Sequence, residues 1–170
     1  ARCICCGSPV PFDHVRSEGK AKRMSPKLMA IVAEGQRGRY YLSPEDSHVK
    51  VAQSVEPTWK PDAELPVNPR DFKTPNYGMN TFADLFTPRQ LVALSTFSDL
   101  VAEARERALV DALAAGLPEG EGIAAGGRGT RAYADAVATY LSIIVDRQAD
   151  YSSSICSWHS SGEKMRNTFA

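Results

Sequence analysis

Five prolines, Pro57, Pro61, Pro66, Pro69 and Pro75, fall within residues 56–80. Each removes a backbone donor and holds φ near about −65°, so helix and central strand are both disfavoured there. The stretch is expected to be irregular, either wrapped on a surface or forming a functional loop. It separates a strand-bearing first part of the chain from a helical second part.

In the first part, LMAIVAE (28–34) is a continuous apolar run, EGQRG (34–38) has turn composition and RYYLS (39–43) is β-prone. Together they predict a β-hairpin. Ser43-Pro44-Glu45-Asp46 has the form of a helix start: a cap residue, proline at the first position and acids in the first turn. A short helix is expected to about residue 55. Residues 11–27, PFDHVRSEGKAKRMSPK, are polar and basic with Gly19 and Pro26, and are expected to be mostly loop. Trp59, Tyr77, Phe82 and Phe86 are expected to anchor the proline-rich segment.

In the second part, Thr87-Pro88 opens a long helix expected to about residue 115 and stopped by Gly116 and Pro118. Leu94, Phe97, Val101, Ala104, Ala108 and Ala112 recur at three- and four-residue steps on one stripe. Residues 116–129 hold six glycines and are expected to form a mobile loop. GGRGT (126–130) reads as a hinge, because it follows no predicted strand and lacks the lysine of a phosphate-binding loop. Thr130 is expected to cap a second helix over 131–150. Its apolar face would be Tyr133, Val137, Tyr140, Leu141 and Ile144; its polar face would be Asp135, Thr139, Ser142 and Asp146. Two such helices predict an antiparallel pair.

The chemistry-bearing residues are few. Cys3-x2-Cys6-Gly7 has knuckle spacing: two thiolates at that separation grip one tetrahedral Zn²⁺, and glycine permits the turn around sulfur. A zinc ribbon needs a second such pair. Cys5, between the ligands, is expected to point away. Cys156-x2-His159 is a second metal-compatible pair, but a buried Cys156 and a surface His159 are the preferred reading. Arg16, Lys20, Lys22, Arg23 and Lys27 against Glu18 give a local charge of +4 over twelve residues. That basic segment suits contacts to DNA phosphates. The whole chain has 20 Lys and Arg against 20 Asp and Glu, which excludes attraction to nucleic acid or membrane by bulk charge. No apolar run approaches the roughly 18 residues of a membrane span. The clustered cysteines are unlike a secreted disulfide framework, so a cytoplasmic setting is expected. His14, His48 and His159 are scattered, no nucleophile–base arrangement is defined, and no catalytic residue is expected.

The fold class expected is therefore α+β: an N-terminal half zinc ribbon and β-hairpin, then a proline-rich segment and a long antiparallel helix pair. The organisation would be 1–55, 56–87, 88–151 and a tail at 152–170.

Several stretches in order resemble one family. They are ARCICCGSPVPFDHVRSEGKAKRM, LMAIVAEGQRGRYYLSP, GMNTFADLFTPRQLVALSTFSDLV, RAYADAVATYLSIIVDRQADYSSSICSWHSS and MRNTFA. The family is the large adenine-specific DNA methylase homologues that contain a zinc ribbon, many of them encoded near phage-defence systems. The resemblance implies a much longer parent protein using S-adenosylmethionine. It also implies that a first knuckle upstream of Cys3 completes the zinc site with Cys3 and Cys6. Methylases of this kind carry a D/N-P-P-Y word that holds the target amine beside a flipped base. Asn68-Pro69-Arg70 is not such a word. The resemblance thus implies an interior region that contacts DNA or scaffolds the other domains without catalysing transfer itself.

Overall fold

Residues 2–68, 70 and 73–169 are described by a computed structural model. The described residues form helices and two small antiparallel sheets joined by irregular segments, so the class is α+β. It divides into two compact units, Ala1–Arg89 and Gln90–Ala170. No helix among the described residues is long and apolar enough to cross a membrane.

The first unit corrects one expectation at once. Residues 12–20, read as loop, form helix α1 (Phe12–Lys20). Asp13 in its first turn and Lys20 in its last complement the helix dipole. Gly19, which reads as a helix breaker, is buried because its missing side chain is a contact surface. A Cβ there would lie 2.5 Å from the Tyr77 carbonyl oxygen, and one on Gly78 would lie 2.7 Å from the Gly19 oxygen. α1 thus lies backbone to backbone on the 3₁₀ turn Thr74–Tyr77. Beyond α1, Lys22 takes a left-handed φ of 56°. Arg23 N–H donates to Glu18 O (3.0 Å) and Lys22 N–H to Gly19 O (3.0 Å), the paired bonds that close a helix C-terminus.

The hairpin forms as expected. β1 (Ile31–Gly35) pairs with β2 (Gly38–Leu42) from Ile31↔Leu42 to Gly35↔Gly38. Helix α2 (Asp46–Gln53) starts later than Ser43-Pro44 predicts. Glu45 is extended at its N-cap, and the Glu45 N–H donates to His48 Nδ1 at 3.0 Å.

The proline-rich segment is irregular where described, yet it is bonded into the same unit. Leu65 N–H donates to Asn80 O (2.8 Å) and Phe82 N–H to Ala63 O (3.0 Å), flanking a bridge between Glu64 and Thr81. Leu65 and Leu85 are buried and form this unit's core. Trp59 is no anchor, with 63% of it exposed. Tyr77, Phe82 and Phe86 are half-buried.

Asp84 closes this packing. Its carboxylate accepts the N–H of Asn80 (2.8 Å) and of Thr81 (3.0 Å), and pairs with Lys22 Nζ at 3.1 Å. Burial pushes its carboxyl up, but the two backbone N–H donors and the Lys22 ammonium outweigh burial and hold it at about 2. A carboxylate depressed on folding contributes stability that is complete above its ordinary value of 3.8 and is lost as pH falls through about 2. With 29% of the side chain accessible, that contribution is on the order of 1–2 kcal/mol. An acid titration followed by circular dichroism is therefore expected to lose stability between about pH 4 and pH 2. Asp84→Asn is expected to be less stable at neutral pH and to show a shallower acid decline. An unchanged decline would refute the assignment.

Helix α3 (Pro88–Ala114) runs as expected, its first two residues in the first unit and the rest in the second. Gly116 at φ 83° ends it, with Leu117 N–H donating to Ala112 O at 3.0 Å, a Schellman closure. α4 (Thr130–Tyr151) follows. Gly129, and not Thr130, stands at its N-cap; Thr130 is 1% exposed and its N–H donates to Pro118 O at 3.0 Å. Arg105 Nε donates to Asp135 Oδ1 at 2.8 Å, joining the second half of α3 to the first turns of α4, as in a helical hairpin.

The expected apolar face of α4 is also corrected. Ala134 is fully buried and Val137 and Leu141 are half-buried, whereas Tyr133, Tyr140 and Ile144 are exposed. The helix turns its small residues inward and leaves large ones outside. On the expected α3 stripe, Ala112 is buried but Phe97 is 48% exposed.

The glycine-rich loop is a hydrogen-bonded structure where a mobile one was expected. It contains the 3₁₀ turn Ile123–Ala125, and the Ile123 N–H donates to Asp135 Oδ2 at 3.0 Å. A Cβ on Gly120 would strike the Arg128 oxygen at 1.8 Å, and one on Gly127 the Glu121 oxygen at 2.0 Å. These glycines let two backbone strands touch. The tail carries a small hairpin, β3 (Trp158–His159) with β4 (Lys164–Met165), which the sequence did not suggest.

Candidate functional site

Residues 2–9 make a tight turn closed by a bridge between Arg2 and Pro9. Cys3 N–H donates to Ser8 O and Gly7 N–H to Cys3 O, both at 2.9 Å. Gly7 is left-handed at φ 71°. The turn carries both Cys3, which is half-buried, and Cys6, which is exposed. Cys6 Sγ donates to Ser8 Oγ at 3.3 Å. The Ser8 hydroxyl, then the Ser8 backbone, then Cys3 lower the Cys6 thiol below its ordinary value. Cys5 is exposed.

The arrangement suits a soft metal cation, since an exposed thiol biased toward thiolate is the ligating species. Among the described residues there is no group of three or more His, Cys, Asp or Glu side chains placed to hold a metal. Cys3 and Cys6 offer two thiols, short of the four ligands of a tetrahedral zinc site.

Cys156 and His159 do not join such a group. The Cys156 thiol is engaged with Asp150 O (3.4 Å), Thr168 Oγ1 (3.1 Å) and Ser153 Oγ (3.5 Å). His159 lies on β3 with Nδ1 buried and without a hydrogen-bond partner, while Nε2 is 3.5 Å from Ser161 Oγ. Both residues are half-buried, which differs from the surface His159 expected.

The basic segment is largely spent on internal partners. Arg16 pairs with Asp13 (3.2 Å). Arg23 makes a two-pronged pair with Glu18 at 2.7 and 2.6 Å, which holds the Glu18 carboxyl below its usual range. Lys22 Nζ donates to Gly78 O (2.6 Å) and Asp84 (3.1 Å), offsetting its left-handed backbone. Among the described residues Lys20 and Lys27 have no ion pair. The neutral total conceals an uneven distribution. The first unit carries 13 Lys and Arg against 10 Asp and Glu, the second 7 against 10.

Sequence reasoning missed two polar centres in the second unit. One is Asp135, placed on a solvent face by periodicity. Its carboxyl is held below the usual range by the Arg105 guanidinium and by the Ile123 N–H. The other is the cluster of buried Asp150 and Ser153 with half-buried Cys156 and Thr168. Only the charge of Asp150 so near a helix end could have signalled it. Nor does any local signal point to a cavity of about 320 Å³ in the first unit, lined by Lys27 and Arg89 among others. The chain matches no family model, and it has no match among curated proteins or among solved structures.

Proposed function

We propose that this chain is an accessory region, DNA-contacting or scaffolding, of an S-adenosylmethionine-dependent adenine-specific DNA methylase that contains a zinc ribbon. In this reading it is not catalytic by itself, works in the cytoplasm, and belongs to a phage-defence-associated protein. The observation that carries the reading is the Cys3–Cys6 turn. It carries a half-buried thiol, Cys3, and an exposed one, Cys6, the latter biased toward thiolate, on a backbone hook. That is half of a zinc ribbon, and the family resemblance assigns the other half to an upstream knuckle. Zinc would crosslink the two knuckles and fix the orientation of the first unit.

The positive balance of the first unit supports contact with DNA, but the ion pairs narrow it. Of Arg16, Lys20, Lys22, Arg23 and Lys27, the proposal keeps Lys20 and Lys27 as phosphate contacts. Neutralising a phosphate releases counterions, with a log–log salt slope of about −0.9 per contact. Fluorescence anisotropy with a labelled duplex is therefore expected to give weak binding with a slope of about −2, against about −4.5 for five contacts. No binding at low salt would remove DNA contact from the proposal. The alternative would then hold: a protein-interaction or structural module. The outward face of α4, with Tyr140 72% and Ile144 63% exposed, favours that alternative.

A further inference from the structure

The cavity of about 320 Å³ lies wholly within the first unit. Three pieces of chain wall it: the segment before β1, the second half of α2, and the residues that open α3. Its size is at the small end of the roughly 300–1,000 Å³ of ligand pockets. Leu28, Met29, Val49 and Ala52 give it an aliphatic surface, and Lys27 and Arg89 are on its wall. Among the described residues no acidic side chain lines it. Six cations of the molecule, Arg16, Lys22, Arg23, Arg105, Arg107 and Arg147, have carboxylate partners. Lys27 and Arg89 have none among the described residues. Two cations without counter-charge beside an aliphatic surface are complementary to one kind of molecule.

We propose that this cavity binds a small aliphatic anion. A carboxylate or phosphate-ester headgroup would sit between Lys27 and Arg89, with the hydrocarbon body against Leu28, Met29, Val49 and Ala52. Arg89 supplies a planar fork suited to a two-oxygen headgroup, and Lys27 a point charge. Among the described residues no aromatic side chain lines the cavity to offer the stacking platform that a nucleobase uses. The inference does not rest on the DNA reading. The two share Lys27, and the measurement below reads residues that DNA contact does not invoke.

The test is a methyl-resolved NMR titration of the full chain with octanoate, octyl phosphate, 1-octanol and adenosine monophosphate. Saturable shifts at Leu28, Met29, Val49 and Ala52 are expected with octanoate or octyl phosphate, in the micromolar to millimolar range. Whichever of the two binds more tightly identifies the headgroup. The neutral alcohol is expected to bind at least about tenfold more weakly. The double variant Lys27→Met, Arg89→Met keeps the apolar stems and is expected to lose about tenfold or more. Ala52→Leu, which fills the cavity and leaves the charges in place, is expected to weaken octanoate as well. No saturable shift, equal binding of 1-octanol, tighter binding of adenosine monophosphate, or full octanoate binding by Ala52→Leu would each overturn the proposal.

Discussion

Gly19→Ala is expected to destabilise the first unit by about 1–3 kcal/mol, although helix propensity alone favours the change by about 1 kcal/mol. The sign is set by a contact. The new Cβ would lie 2.5 Å from the Tyr77 carbonyl oxygen, which is backbone and cannot rotate away. Gly78→Ala is expected to cost more, about 2–4 kcal/mol, because a left-handed backbone penalty adds to the clash. Its φ is 80°, and its Cβ would lie 2.7 Å from the Gly19 oxygen. Gly116→Ala separates the two contributions. That position has φ 83° and nothing within 4 Å of its Cβ, so it is expected to carry the backbone penalty alone, about 1–2 kcal/mol. Urea unfolding with amide hydrogen exchange measures all three. Protection over residues 12–20 should fall in the first two variants and stay unchanged in the third. A Gly19→Ala variant as stable as the parent, with α1 protected, would mean that α1 does not dock on Gly78.

The same glycine shows why α1 was illegible in the sequence. Its residues are polar, its apolar positions are too few to set a period, and Gly19 reads as a breaker until its partner is known. That partner lies at Tyr77 and Gly78, across the hairpin, α2 and the proline-rich segment. By contrast, α3 was legible at both ends, because Thr87-Pro88 and Gly116-x-Pro118 are local signals. The hairpin was legible for the same reason: β1 and β2 are joined by two residues, and the pairing is local.

The candidate site divides along the same line. The Cys3–Cys6 turn was legible because its bonds span no more than five residues. The fate of the basic segment was not. Lys22 meets Gly78 and Asp84, 56 and 62 residues away, and its role changes from a candidate phosphate contact to a crosslink. The cavity has the same origin, since its walls come from three separated pieces of chain. On α4, periodicity located the helix correctly but sorted residues by apolar size. The fold sorted them by how closely a neighbour can approach, which favours Ala134 over Tyr140.

Asp150→Ala is expected to release the C-terminal tail and to cost about 2–3 kcal/mol. Asp150 is 9% exposed at the end of α4. Its Oδ1 accepts the N–H of Thr168 (2.9 Å) and of Phe169 (2.8 Å), and its backbone oxygen takes the Thr168 hydroxyl at 2.7 Å. Arg147 lies 3.5 Å from Oδ2 and also stacks over the Tyr151 ring. One residue thus fastens the tail beyond β4 to the end of α4, and its two bonds to the charged carboxylate are stronger than neutral ones. Asp150→Asn keeps an oxygen acceptor but loses the charge, and is expected to fall between alanine and the parent. Thr168→Val removes the hydroxyl between Asp150 O, Ser153 and Cys156, and is expected to cost about 1–2 kcal/mol. Cys156 supplies a readout that global unfolding does not. Its thiol is covered by Thr168, so alkylation mapped by mass spectrometry should accelerate at Cys156 in Asp150→Ala, while Cys3, Cys5 and Cys6 react as before. If Cys156 stays protected when Asp150 is alanine, the tail is held by its own hairpin, and the lock assigned to Asp150 does not exist.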